Sequence, residues 1–208
     1  MSSRLKMTAK NALWSYISMF ISLILQFISR TVFIYYLGEE YLGINGLFSN
    51  VLGVLSFAEL GIGTAINFSL YKPVAEHNTE KIKAYMYYYK WAYRAIALII
   101  TVLGLGLIPF MDVLVKNPGN IGNITLYYLI YLFNTVTSYF VSYKYSLVNA
   151  EQKNYIYTIV NLILSMTTII VQIISILLWK SFLIYLIVVA VFGVVQKIFV
   201  SIYFDRMY

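Results

Sequence analysis

The chain has 208 residues, of which 61% are hydrophobic and 11% charged, with a mean hydropathy of +0.78 and a net charge of +7. A soluble domain carries about 25% charged residues, so the polar surface needed to cover a water-soluble globule is missing. A soluble enzyme, a nucleic-acid-binding module and a disordered chain are excluded, and the composition reads as an all-α polytopic membrane protein.

The N-terminus places Arg4, Lys6 and Lys10 before a first apolar stretch, Leu13 to Leu37. That stretch is too long for a signal peptide and lacks a small-residue cleavage site, so it reads as a retained first helix. Ser15, Ser18, Ser22, Gln26, Ser29 and Arg30 recur along it at helical spacing and share one face. The short loop Gly38-Glu39-Glu40-Tyr41 leads to a second stretch, Leu42 to Tyr71. Its 30 residues exceed one upright span. It reads as a tilted helix, or as one whose Gly43-Ile44-Asn45-Gly46 start lies at the interface. Ser49, Gly53, Ser56, Glu59, Gly63 and Asn67 are its polar and small positions. Gly61, Ala65 and Ser69 read as a close-packing series.

The connection from Lys72 to Arg94 is the longest. Within it, Glu80 to Arg94 mixes lysines with Tyr85, Tyr87, Tyr88, Tyr89, Trp91 and Tyr93, which suits a helix lying along the lipid headgroups. His77, the single histidine, reads as a surface residue of this connection. A third stretch, Ala95 to Val115, has few polar side chains. The turn Lys116-Asn117-Pro118-Gly119-Asn120 follows, then a weak glycosylation sequon, Asn123-Ile124-Thr125. The fourth stretch, Leu126 to Val148, carries Tyr127, Tyr131, Asn134, Ser138, Ser142, Tyr145 and Asn149 on one face. The fifth, Tyr155 to Trp179, carries Thr158, Asn161, Ser165, Thr168, Gln172 and Ser175. The sixth, Ser181 to Phe204, is nearly all apolar like the third.

Lysine and arginine alternate from side to side. Arg4, Lys6, Lys10, Lys72, Lys81, Lys83, Lys90, Arg94, Lys144, Lys153, Lys197 and Arg206 fall on one side, twelve in all, and Lys116 and Lys180 on the other. By the positive-inside rule both termini are cytoplasmic. Polar stripes in hydrocarbon must face protein or water. The first, second, fourth and fifth helices are therefore expected to surround a wet interior, and the third and sixth to face lipid. Arg30 and Glu59 lie deep in their spans, about 15 Å apart along the normal on a straight-helix estimate, too far to be read as an ion pair. Asp112, Lys144 and Lys197 read as snorkelling residues near helix ends. The cavity candidates are Arg30, Gln26, Ser22, Glu59, Asn67, Asn134, Ser138, Asn161 and Gln172. Without cysteines, a histidine cluster or a Gly-rich phosphate loop, neither a metal nor another cofactor is expected, nor an ATP motor. The pair Glu39-Glu40 sits in a loop too short to build a glycosyltransferase site, so an enzyme is not expected.

The runs Gln26-Phe27-Ile28-Ser29-Arg30, Tyr36-Leu37-Gly38, Tyr41 to Phe48, Leu55 to Ile66 and Leu70-Tyr71-Lys72-Pro73 resemble the start of bacterial polysaccharide flippases of the Wzx type. Those transporters handle O-antigen, capsule and exopolysaccharide repeat units. The resemblance covers about residues 10 to 95; the remaining helices agree in number and hydropathy only. It implies one six-helix lobe, residues 1–208, of a two-lobe exporter of the multidrug and oligosaccharidyl-lipid superfamily. A second lobe, from a separate chain or a homodimer, would complete it, unless the product is truncated and inactive. The implied activity is flipping an undecaprenyl-diphosphate-linked oligosaccharide across the bacterial cytoplasmic membrane, with membrane lipid and the lipid-linked sugar as partners and no nucleic acid. In that reading Arg30 faces the cavity and Glu59 belongs to a Glu-Leu-Gly-x-Gly element. A cation-coupled drug or metabolite antiporter, using Glu59 as the coupling carboxylate, is the alternative.

Overall fold

A computed structural model describes residues 3–59, 61–115 and 121–207, which form helices and their connections without a strand. The helices are α1 (Ser3–Leu37), α2 (Glu39–Leu55), α3 (Ile62–Ala75), α4 (Thr79–Gly106), the single turn α5 (Met111–Leu114), α6 (Ile124–Ala150), α7 (Asn154–Trp179) and α8 (Phe182–Met207). Among the described residues, five helical segments are long and apolar enough to cross a membrane: residues 7–37, 79–114, 124–150, 154–179 and 182–206. The chain is thus a polytopic all-α membrane protein. Its outer surface is apolar, with Phe20, Phe27, Leu98, Val102, Ile170, Leu178, Val191 and Ile198 all pointing outward. In water that would be a liability; against acyl chains it is the expected finish.

Helix α6 is the hub. It packs on α4, α8, α3 and α2, while α1 lies along α7 and α7 along α8. The residues on α4 that meet this core are Tyr93, Ile96, Ala97, Ile100 and Gly104, which share one helical face. At Gly104 a Cβ would come within 2.4 Å of Leu132, so the two helices touch where a side chain is missing. Tyr128 fills the space beside it and donates its hydroxyl to the Gly104 carbonyl at 2.9 Å. Phe182 pins one end of the bundle, with ring centroids 4.8 Å from Tyr41 and 4.9 Å from Tyr127. At the other end Tyr145 meets Tyr157 at 4.4 Å and Phe204 at 5.6 Å. There Asn11 of α1 donates to the Gln152 carbonyl at 3.0 Å and accepts from the Tyr155 N–H at 2.8 Å.

Several expectations are corrected. Leu42 to Tyr71 is not one helix, tilted or otherwise: it breaks between α2 and α3. Gly43 to Gly46 lie inside α2, which begins at Glu39. Glu80 to Arg94 is not a separate interfacial helix. Asn78 caps α4 by accepting from the Lys81 N–H at 3.0 Å, and no proline or glycine interrupts the chain before Gly104, so one helix runs on into the third stretch. The aromatic rings of that helix still divide as an interface demands, Tyr85, Tyr87, Tyr88 and Trp91 outward and Tyr93 buried. The third and sixth helices do not simply face lipid. α4 supplies core residues, and α8 buries Tyr185, Leu186, Ala190, Val200 and Phe204 between its neighbours. Asn123 serves as the cap of α6, accepting from the Leu126 N–H at 3.0 Å.

Candidate functional site

The break between α2 and α3 begins at Ser56, whose hydroxyl donates to the Leu52 carbonyl at 2.9 Å and so satisfies part of the α2 terminus. A 3-10 turn, Ser56–Glu59, follows. Gly61 then adopts φ +89° and ψ −24°, the left-handed region where a Cβ is costly, and α3 starts after it with no side-chain cap. Gly61 and Ala65 are exposed and open space surrounds the Gly61 Cα, so the expected packing series instead marks the break. The free N–H groups and positive dipole end of α3 favour a carboxylate nearby. Glu59 is that carboxylate. Its Oε1 accepts from the Tyr93 hydroxyl at 2.7 Å. Tyr139, with its ring 6.3 Å from that of Tyr93, turns its hydroxyl towards Ser56 and Glu59. Gly63 forms the wall: a Cβ there would sit 3.4 Å from the Tyr93 hydroxyl. One turn on, Asn67 Oδ1 is buried without a hydrogen-bond partner. A half-buried carboxylate and two phenols at a helix break form a site able to hold a proton or a cation.

A second polar locus lies on the α6–α8 seam. Lys197 does not snorkel. Its ammonium donates to Asn134 O and Oδ1, both at 2.7 Å, and to Thr137 Oγ1 at 2.8 Å. All three of its protons are used. Gly193 makes the approach possible, since a Cβ there would lie 2.9 Å from Asn134 Oδ1. Lys144 is likewise held, 2.6 Å from Asp205 and 2.7 Å from Ser201 Oγ. Asp112 is exposed on α5. Gln196 bonds Leu164 O at 2.7 Å and Thr168 across the α7–α8 contact.

The nine expected cavity residues do not share one site. Gln26 and Arg30 are exposed on α1, and Ser22 is half-buried beside them. Among the described residues Arg30 has no hydrogen bond and no ion pair, with Glu59 or any other group. Glu59 belongs to the break against α4, and Asn67 lies within α3 with its Oδ1 buried and unpartnered. Asn134 belongs to the Lys197 seam. Ser138 donates to the Thr135 carbonyl at 2.6 Å, and Asn161 pairs with Tyr157 one turn earlier. Gln172, half-buried, accepts from Ser175 through its backbone carbonyl at 2.8 Å. The serine and threonine hydroxyls of the fourth and fifth stripes bond their own helix, among them Ser142 to Ser138 O, Thr158 to Asn154 O, Ser165 to Leu162 O and Thr168 to Leu164 O. A hydroxyl that closes on the preceding turn needs no water, which is why a periodic stripe can be drier than its spacing suggests.

A cavity of about 760 Å³ opens instead at the end where α3 and α8 finish and α4 begins, and none of the nine lines it. Four of the twelve basic residues that alternation assigned to one side, Lys83, Lys90, Lys144 and Lys153, are on its wall, as is His77. Sequence reasoning missed Tyr93, Tyr139, Gln196 and the inward course of Lys197. The only signal for the last was a charge set inside an otherwise apolar run. No family model, no curated protein and no solved structure matches this chain.

Proposed function

We propose that the chain is one lobe of a two-lobe membrane transporter that flips a lipid-linked oligosaccharide diphosphate across the bacterial cytoplasmic membrane. The observation that carries this reading is Arg30. It lies inside a helix long enough to span a bilayer, points away from the rest of the chain and has no partner among the described residues. A guanidinium in hydrocarbon is costly by a few kcal/mol. It therefore calls for an anion or a wet surface supplied from outside this bundle. A second lobe facing α1 would supply the wet surface, and a diphosphate would supply oxygens matching the planar fork of donors. In this reading the broken α2–α3 segment is the sixth crossing. It starts beside Tyr41 and Phe182 at one end and finishes at the cavity of the basic end, and the two lobes rock around the space between them.

The test uses purified protein in sealed vesicles loaded with a fluorescent undecaprenyl-diphosphate oligosaccharide. The wild type is expected to carry the probe to the opposite leaflet, and Arg30→Ala to lose that transfer. A folded wild type that self-associates in the vesicles and still moves no probe removes the reading. A second reading, cation-coupled antiport, draws on Glu59 at the helix break. It predicts proton-driven export of a cationic dye that collapses in Glu59→Gln while Arg30→Ala has no effect.

A further inference from the structure

We infer that the cavity at the basic end of the bundle is a binding site for a phosphate-bearing anion, either the headgroup of an anionic phospholipid or a soluble phosphate. The site is separate from the Arg30 face and from the Glu59 break, and the inference goes beyond the transport reading.

The size fits: about 760 Å³ is within the range of small-molecule pockets. So does the charge. Four lysines, Lys83, Lys90, Lys144 and Lys153, share the wall with two carboxylates, Glu151 and Asp205, leaving two positive charges in excess. The four lysines are not equivalent. Lys144 is occupied by Asp205 and Ser201, and Lys153 lies 2.6 Å from Glu151. Lys83 and Lys90, among the described residues, have neither a hydrogen bond nor an ion pair. They stand seven residues apart on α4, on one face and about 10 Å apart along the axis. Two free ammonium groups at that separation can close on one anion from both sides, and Lys carries three donors for the purpose.

The remainder of the wall is amphipathic. Ile82, Met86, Leu147 and Phe204 give an apolar lining, and Tyr87 and Tyr143 add phenols. That combination suits a headgroup that enters with part of its glycerol and acyl region, since the outward rings of Tyr88 and Trp91 lie on the same helix at the membrane surface. The bundle also has reason to keep an anion here. The two carboxylates of the wall, Asp205 and Glu151, are taken by Lys144 and Lys153, so the charges of Lys83 and Lys90, both on α4, repel one another without an anion between them.

The experiment measures thermal unfolding of the purified full chain in a neutral detergent. It is titrated with phosphatidylglycerol, with phosphatidylcholine of the same acyl chains, and with inorganic pyrophosphate. Phosphatidylglycerol is expected to raise the midpoint by about 5 °C at a hundredfold excess over Kd, and Lys83→Gln/Lys90→Gln to weaken binding about tenfold or more. Lys10→Gln/Lys81→Gln, which removes two charges outside the cavity wall, should keep the full response. Pyrophosphate giving the same shift supports the site and assigns it to a soluble phosphate; a shift with phosphatidylglycerol alone assigns it to lipid. An equal shift with phosphatidylcholine, or an undiminished response in Lys83→Gln/Lys90→Gln, overturns the inference. If that double variant melts lower without ligand, Lys83→Arg/Lys90→Arg decides: retained binding supports the site and lost binding overturns it. Since binding is read directly, a failure of flipping in vesicles leaves this result unaffected.

Discussion

Arg30 and Lys197 occupy matching places in the sequence, each seven residues before the end of a long apolar run, Leu37 in one case and Phe204 in the other. The protein treats them in opposite ways. Lys197 turns into the α6–α8 seam and spends every proton on Asn134 and Thr137. Arg30 turns out from α1 and meets nothing within the described residues. Depth in the membrane therefore does not by itself make a charge functional. What separates the two is whether the fold supplies acceptors. A charge whose donors are all bonded inside the bundle is part of the packing, whereas one left unmatched is a demand on something outside it.

The sharpest way to break this comparison is to strip acceptors from Lys197. Asn134→Leu removes the Oδ1 acceptor and leaves an ammonium under-bonded in the seam. The expected loss is about 2 kcal/mol, read as a lower unfolding midpoint in detergent. Asn134→Leu/Lys197→Met, which removes the charge as well, should recover at least half of that loss. If the double variant is no better than Asn134→Leu, Lys197 is not held by this bond and the contrast with Arg30 collapses. Next in size is Gly193→Ala. Its methyl would stand 2.9 Å from Asn134 Oδ1 and push the amide off the lysine. About 1 kcal/mol is expected from the same measurement, and this loss should vanish in the Lys197→Met background.

How much of this was legible in the chain depended on whether the signal was local. The long apolar runs mark the helices because a span must satisfy its own backbone, so hydropathy alone finds α6, α7 and α8 within a few residues and the end of α1, but it begins the third span at Ala95 where α4 starts at Thr79. Four of the basic residues that alternation put on one side, Lys83, Lys90, Lys144 and Lys153, line one cavity, a grouping that spacing along the chain does not show. The break after Ser56 was not legible as a break. Ser56 to Asn67 stays apolar on average, and Gly61 reads as a packing glycine until its positive φ is known. The polar stripes were legible as stripes but not as to what they bond. Spacing puts Thr158, Ser165 and Thr168 on one face, but it cannot say that each hydroxyl closes on the preceding turn. Lys197 was read as snorkelling because the partner that draws it inward, Asn134, is on a different helix 63 residues away.

Glu59 falls between the two extremes and tests whether they form a scale. Its carboxylate has one phenol bonded and is half-buried. Tyr93→Phe removes the hydroxyl and should cost about 0.5–1 kcal/mol, less than Asn134→Leu because Glu59 retains solvent access. Glu59→Gln keeps an acceptor for Tyr93 and should leave the unfolding midpoint within the scatter of the wild type. A large loss of stability in Glu59→Gln would mean that the negative charge itself holds the free N-terminus of α3, and the break would then be structural.

Arg30→Ala is the smallest expected change in stability, within about 0.5 kcal/mol of the wild type, because no bond within the described residues is lost. The same substitution is expected to abolish flipping in loaded vesicles. The two readouts together decide what kind of residue it is. A stable, inactive Arg30→Ala places the guanidinium where the diphosphate or the opposing lobe needs it. A destabilised one shows that Arg30 has a packing role after all, and the distinction from Lys197 disappears. A stable and active one means that the arginine reaches water along α1, and the search for the anion's route shifts to the lysine-lined cavity at the basic end. The conservative Arg30→Lys separates charge from geometry: a point charge keeps the attraction but loses the two parallel donors. Partial transport in that variant would indicate a charge requirement, and none would indicate bidentate recognition.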